Sequence, residues 1–119
     1  MRRPPDLSTV RAMWWAARSL QRVRRSLGTT ALPDVTVGPP PPLPPEAERG
    51  VRFVLGNRPG TCLQRALVHQ AWHSAQGSAR EIVVGVSGSS RAFSAHAWLD
   101  GTPGEPGPEF QELLRLPAR

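Results

Sequence analysis

Lysine and tyrosine are absent from this 119-residue chain, and cysteine occurs once. A single cysteine excludes an internal disulfide framework and suits a reducing compartment. No apolar run is long enough for the core of a secretory signal or for a membrane helix, so a cytoplasmic location is expected and a membrane association is not. With no lysine, all fifteen basic residues are arginines, and against nine acids they leave a net charge of +6. That balance suits an acidic partner or nucleic acid. The arginines are dispersed, however, with one cluster from Arg18 to Arg25, and no Cys/His finger or aromatic-glycine motif accompanies them. A nucleic-acid partner is therefore not expected. Apolar residues make up only 39% of the chain, while 14 prolines and 11 glycines assign much of it to loop or linker, leaving one small packed unit.

The chain divides into three segments. Residues 1–28 hold an amphipathic helix over Leu7 to Leu27: Met13, Ala16, Leu20, Val23 and Leu27 recur at helical spacing, and Val10, Trp14 and Ala17 widen the stripe. Ser8 or Asp6 can cap its start and Gly28 can end it. Residues 29–45 are a proline-rich spacer, since the run Pro39 to Pro42 with Pro44 and Pro45 enforces an extended polyproline conformation. Residues 46–119 carry the chemistry. A helix opens near Glu46 and buries Ala47, Val51, Val54 and Leu55; Asn57 and Pro59 stop it, and a further helix starts at Thr61 or Cys62. Leu63, Ala66, Leu67, Ala71 and Trp72 form its apolar face, and Gly77 closes it. From Glu81 the period falls to two. Glu81 to Val86 reads as a central strand, Gly88 to Ser90 as a turn, and Phe93 to Leu99 as a strand with His96 and Trp98 on one face. Phe110 to Leu116 reads as a last helical turn or two over the sheet.

Cys62 and His96 are the candidates for chemistry. A thiol at a helix start lies at the positive end of the macrodipole, which favours the nucleophilic thiolate. His96 precedes Asp100-Gly101, a two-residue hairpin signal. A turn centred there pairs 97 with 104 and His96 with Glu105, and such partners have Cβ atoms roughly 4.5–5.5 Å apart, close enough for a carboxylate to orient an imidazole. Cys62, His96 and Glu105 are thus the expected nucleophile, base and orienting acid, with Asp100 as the alternative acid. A metal is not expected, nor any other cofactor. His69 and His73 form an i,i+4 pair suited to zinc, but Cys62 lies about 10 Å along the helix axis from His69, so the three cannot share one ion. The pair reads as a polar helix face.

Helix with Cys at its start, strand, strand with His, then an acid is the order of the papain and transglutaminase-like superfamily. The expected fold is α+β, with the nucleophile helix packed on a small antiparallel sheet and an extra N-terminal amphipathic helix. Within that class, Gly60-Thr61-Cys62-Leu63-Gln64-Arg65-Ala66-Leu67, Ile82-Val83-Val84-Gly85-Val86 and Phe93-Ser94-Ala95-His96-Ala97-Trp98-Leu99-Asp100-Gly101 resemble the leader peptidase of lasso peptide biosynthesis, over about residues 46–116. The resemblance implies a cysteine protease that removes the leader from a ribosomal precursor peptide, beside a leader-recognition protein and a macrolactam synthetase. It places Cys62 and His96 at the family's nucleophile and base. The family usually carries an Asp after a longer hairpin where Glu105 falls here. The contrasting reading is a non-catalytic basic module that binds a partner protein or nucleic acid through the first helix.

Overall fold

The computed structural model describes residues 6–27, 35–89, 92–102 and 111–118. Helix α1 spans Leu7–Ser26; a 3-10 turn over Pro45–Ala47 leads into α2, Glu48–Asn57; and α3 covers Cys62–Ala75. Three strands follow, β1 (Ile82–Ser89), β2 (Ala92–Leu99) and β3 (Gln111–Leu116), in the antiparallel order β2-β1-β3. The architecture is α+β: α1 lies on α2 and α3, and α3 lies on the sheet, mainly against β2.

Local chemistry accounts for the helix ends. Asp6 caps α1 by accepting from the Thr9 amide at 2.8 Å, which holds its carboxyl below the usual range. Thr61 caps α3 in a reciprocal box: its hydroxyl accepts from the Gln64 amide at 3.2 Å, and its own amide donates to Gln64 Oε1 at 2.9 Å. The far end of α3 closes in a Schellman arrangement at Gly77, with Ser78 N donating to His73 O and Gly77 N to Ser74 O.

One core joins the layers. Ala12, Ala16, Leu20 and Val23 of α1 meet Val51, Val54 and Leu55 of α2, Leu67, Val68 and Trp72 of α3, and Ile82, Ala97 and Leu99 of the sheet. The stripe expected for α2 (Ala47, Val51, Val54, Leu55) is buried throughout. In α1, Ala16, Leu20 and Val23 of the expected stripe are buried and Met13 and Leu27 pack against the core, but Val10 and Trp14, expected to widen it, are exposed, and the small Thr9, Ala12 and Ser19 face inward. Val35 is buried in the same core, and the Trp15 indole donates to Gly38 O at 3.2 Å, so the described part of the proline-rich segment lies against the helices.

The sheet differs from expectation at two places. Strand β1 is central as expected, but it runs on through Ser89, with Ser89 opposite Ala92. Gln111–Leu116 is a strand rather than a helical turn, paired along the free edge of β1 with a bulge opposite Val84 and Gly85. Its Glu, Leu and Arg residues favour helix weakly, and the unpaired backbone of a central strand outweighs that preference.

Candidate functional site

Cys62 is the first residue of α3, where the opening amides of a helix have no intrahelical acceptor. Its Sγ accepts from the Ala97 backbone amide at 3.3 Å. The register explains why that amide is available. Asp100 N donates to Glu81 O, so the even residues of β2 point their backbone groups at β1, whereas Ala97 points outward from the strand. Capping thus sets the thiol at the edge of β2, beside the peptide that links Ala97 to His96.

His96 pairs with Gly85 on β1 and sits on the face opposite Ala97 and Leu99. Its imidazole stacks on the Trp98 indole, with centroids 5.7 Å apart and planes 27° from parallel. Both catalytic candidates line one open cleft of about 370 Å³, together with Arg52, Arg65, His69, Trp98 and Thr102. The structure therefore brings Cys62 and His96 to the same cavity.

The acids stand differently. Glu105, and its pairing with His96, lie outside the described residues. Asp100 is exposed in a turn closed by Thr102 N donating to Leu99 O at 3.1 Å, with Gly101 at φ +85°. Its carboxylate lies 3.4 Å from Arg115 Nη1. Because φ is positive at Gly101 but not at Asp100, the turn is not the type I′ that Asp-Gly hairpins favour. The Ala97 amide, which the expected register aims at residue 104, points at Cys62 Sγ.

Two features, one in the cleft and one beside it, were not apparent from the sequence. Arg65 Nε is buried with no hydrogen-bond partner among the described residues, one turn after Cys62. Glu48, at the start of α2, reaches both histidines of α3: Oε1 lies 3.4 Å from His69 Nε2 and 3.2 Å from His73 Nε2. Burial lowers the pKa of both rings, His73 to about 4, where the charges of His69 and Arg80 add to burial and Glu48 opposes them. Burial thus favours the neutral form of both rings. The i,i+4 pair was legible as a motif; its carboxylate was not, because it comes from another helix.

No helix among the described residues is long and apolar enough to cross a membrane. No curated protein and no solved structure gives a significant match to the chain. A family model does: it aligns over residues 6–115, from the cap of α1 to the end of the sheet, and so takes in the Cys62 helix and the His96 strand together. On that match, with its nucleophile-type helix laid on an antiparallel sheet, the chain belongs to the transglutaminase-like superfamily, a group that includes cysteine peptidases and transglutaminases.

Proposed function

We propose that the protein is a cysteine peptidase that cuts the leader from a lasso precursor peptide, acting with a separate leader-recognition protein and a macrolactam synthetase. The observation that carries the chemistry is the Cys62 thiol at the start of α3, bonded to the amide beside His96 in a shared cleft. The substrate class rests on the Cys-Leu-Gln-Arg-Ala-Leu and Ala-His-Ala-Trp motifs.

In this reading His96 takes the Cys62 proton and the thiolate attacks the scissile carbonyl. The tetrahedral oxyanion is met by the Cys62 amide, at the positive end of α3. Collapse releases the mature peptide's amine, which takes its proton from the His96 imidazolium, and leaves a thioester to the leader. Water, deprotonated by His96, then frees the leader carboxylate and restores the thiol. Glu105, or Asp100 in its place, orients the imidazole. Arg65 and Arg52 line the cleft and can donate to the carbonyls or acidic side chains of an extended peptide.

The test is incubation of the purified chain with a precursor peptide, with and without the recognition protein, and mass analysis of the products. One cut between leader and core, blocked by prior alkylation of Cys62, is expected. An intact precursor alongside tight, salt-sensitive binding to duplex DNA would instead support the basic-module reading.

The outer face of α1 suits the recognition partner. Trp14 is 67% exposed and stands with Val10, Arg11, Arg18 and Arg22 around a groove of about 490 Å³ closed by Pro39 and Pro41. An exposed tryptophan among arginines offers both an anchor and steering toward an acidic surface. Trp14→Ala is expected to remove most of the stimulation by the recognition protein and leave unstimulated cleavage as it was. Full stimulation in that variant would exclude this face.

A further inference from the structure

We infer that Glu48, His69 and His73 form a binding site for a divalent transition metal of the zinc type, tying the start of α2 to the middle of α3 beside the cleft. The three donor atoms make a nearly equilateral triangle: Glu48 Oε1 to His69 Nε2 is 3.4 Å, Glu48 Oε1 to His73 Nε2 is 3.2 Å, and His69 Nε2 to His73 Nε2 is 3.2 Å. Tetrahedral zinc with nitrogen and oxygen ligands at about 2.0–2.1 Å separates its donors by about 3.3 Å. The observed edges are those of one face of such a tetrahedron.

Hydrogen bonding alone does not account for the triangle. A neutral imidazole nitrogen carries either a proton or a lone pair. If both Nε2 atoms are protonated, each can serve the carboxylate, but two N–H groups then face each other along the His–His edge. If one is protonated, it satisfies a single edge, and the other ring's lone pair faces the Glu48 oxygen. Every tautomer leaves a repulsive edge, whereas a cation at the centre satisfies all three atoms at once.

The surroundings fit a ligand set. Arg52 holds Glu48 Oε2 and leaves Oε1 turned toward the histidines, the kind of outer contact that orients a metal-binding carboxylate. The histidine rings lie tilted against each other, 4.6 Å between centroids, on consecutive turns of α3. The side chains are mostly shielded, with 16–25% exposure, and His69 also lines the cleft that holds Cys62. Three protein ligands leave a fourth position for water or for a group entering along that cleft. Cys62 lies two turns away on α3 and is not part of the set.

The test uses the full chain, stripped with a chelator and titrated with Zn²⁺ alone by calorimetry and thermal unfolding, and with Co²⁺ by visible absorption. A single saturable site is expected, with a melting temperature that rises with Zn²⁺. Co²⁺ should give the d–d bands of a tetrahedral site without a thiolate charge-transfer band. Cys62→Ala and His96→Ala should keep that site, while His73→Ala should weaken it by at least about 10-fold, since even the loss of an outer-shell partner costs about that much. Glu48→Gln, which preserves shape, should weaken it too and serves as the check if His73→Ala does not fold. Absence of saturable binding to the unmodified chain, binding unchanged in both Glu48→Gln and His73→Ala, or loss of binding in Cys62→Ala would overturn the assignment.

Discussion

Cys62→Ala and His96→Ala are each expected to lower kcat for precursor cleavage by a factor of about 10⁴ or more, and the double variant hardly further, because in the proposed mechanism the two act as one catalytic unit. Neither change should cost much stability. Cys62 and His96 are both half-buried at an open cleft, and removing a thiol or a ring there creates no sealed cavity. Melting temperatures within a few degrees of the parent's, with turnover gone, is the pattern that identifies chemistry rather than folding. Turnover within tenfold of the parent for either variant excludes it from that unit. The orienting acid is read in the same assay. Glu105→Gln should leave more residual activity than either knockout, since orientation is lost but the base remains. Asp100→Asn breaks an exposed ion pair with Arg115, of the kind that contributes little to stability. If Asp100→Asn is the more damaging change in kcat, Asp100 is the orienting acid.

How much of this was legible in the sequence depended on whether a residue's partner lay nearby in the chain. The α2 stripe and the Thr61 cap are set within a few residues, and both stand where the pattern puts them. The main α1 stripe of Ala16, Leu20 and Val23 also stands, and only its edge differs, where Val10 and Trp14 are large and apolar yet exposed. Thr9 and Ala12 lie inward where Trp14 does not, since α1 and α2 approach so closely that a Cβ on Gly50 would lie 2.5 Å from Thr9 O. Close helix contact selects small residues, and a one-dimensional stripe weighted by hydrophobicity favours large ones. Strand β3 was not legible for a related reason: Gln111 to Leu116 has no strong β pattern, and its partner strand lies far back in the chain, before β2, with Val83 opposite Arg115. The Cys62–His96 cleft was legible because each residue carries a local motif. The Glu48–His69–His73 triangle was half legible, since only its two histidines share a helix.

Gly85→Val is expected to cut kcat about 10²-fold while lowering stability by only about 1–3 kcal/mol, the usual cost of an overpacked site. Gly85 lies directly opposite His96 in the β1–β2 ladder, on the face where Trp98 also sits. A Cβ there would come within 2.7 Å of Trp98 Cη2, 2.9 Å of Cζ3 and 3.0 Å of Gln111 O. The missing side chain is what lets the indole lie across β1, and glycine inside a strand commonly marks such a close approach. Trp98 is only 6% exposed, so its ring cannot yield freely. The indole can move only by disturbing its stack on the His96 imidazole. Displacing a base by about 1 Å is enough to cost about 10²-fold in rate. The check is kcat and melting temperature for Gly85→Val beside Val86→Ala, a change in the same strand on the opposite face. If Gly85→Val turns over at the parent rate, the Trp98 stack does not position His96. If Val86→Ala loses kcat to the same extent, the effect belongs to the strand as a whole and not to the indole.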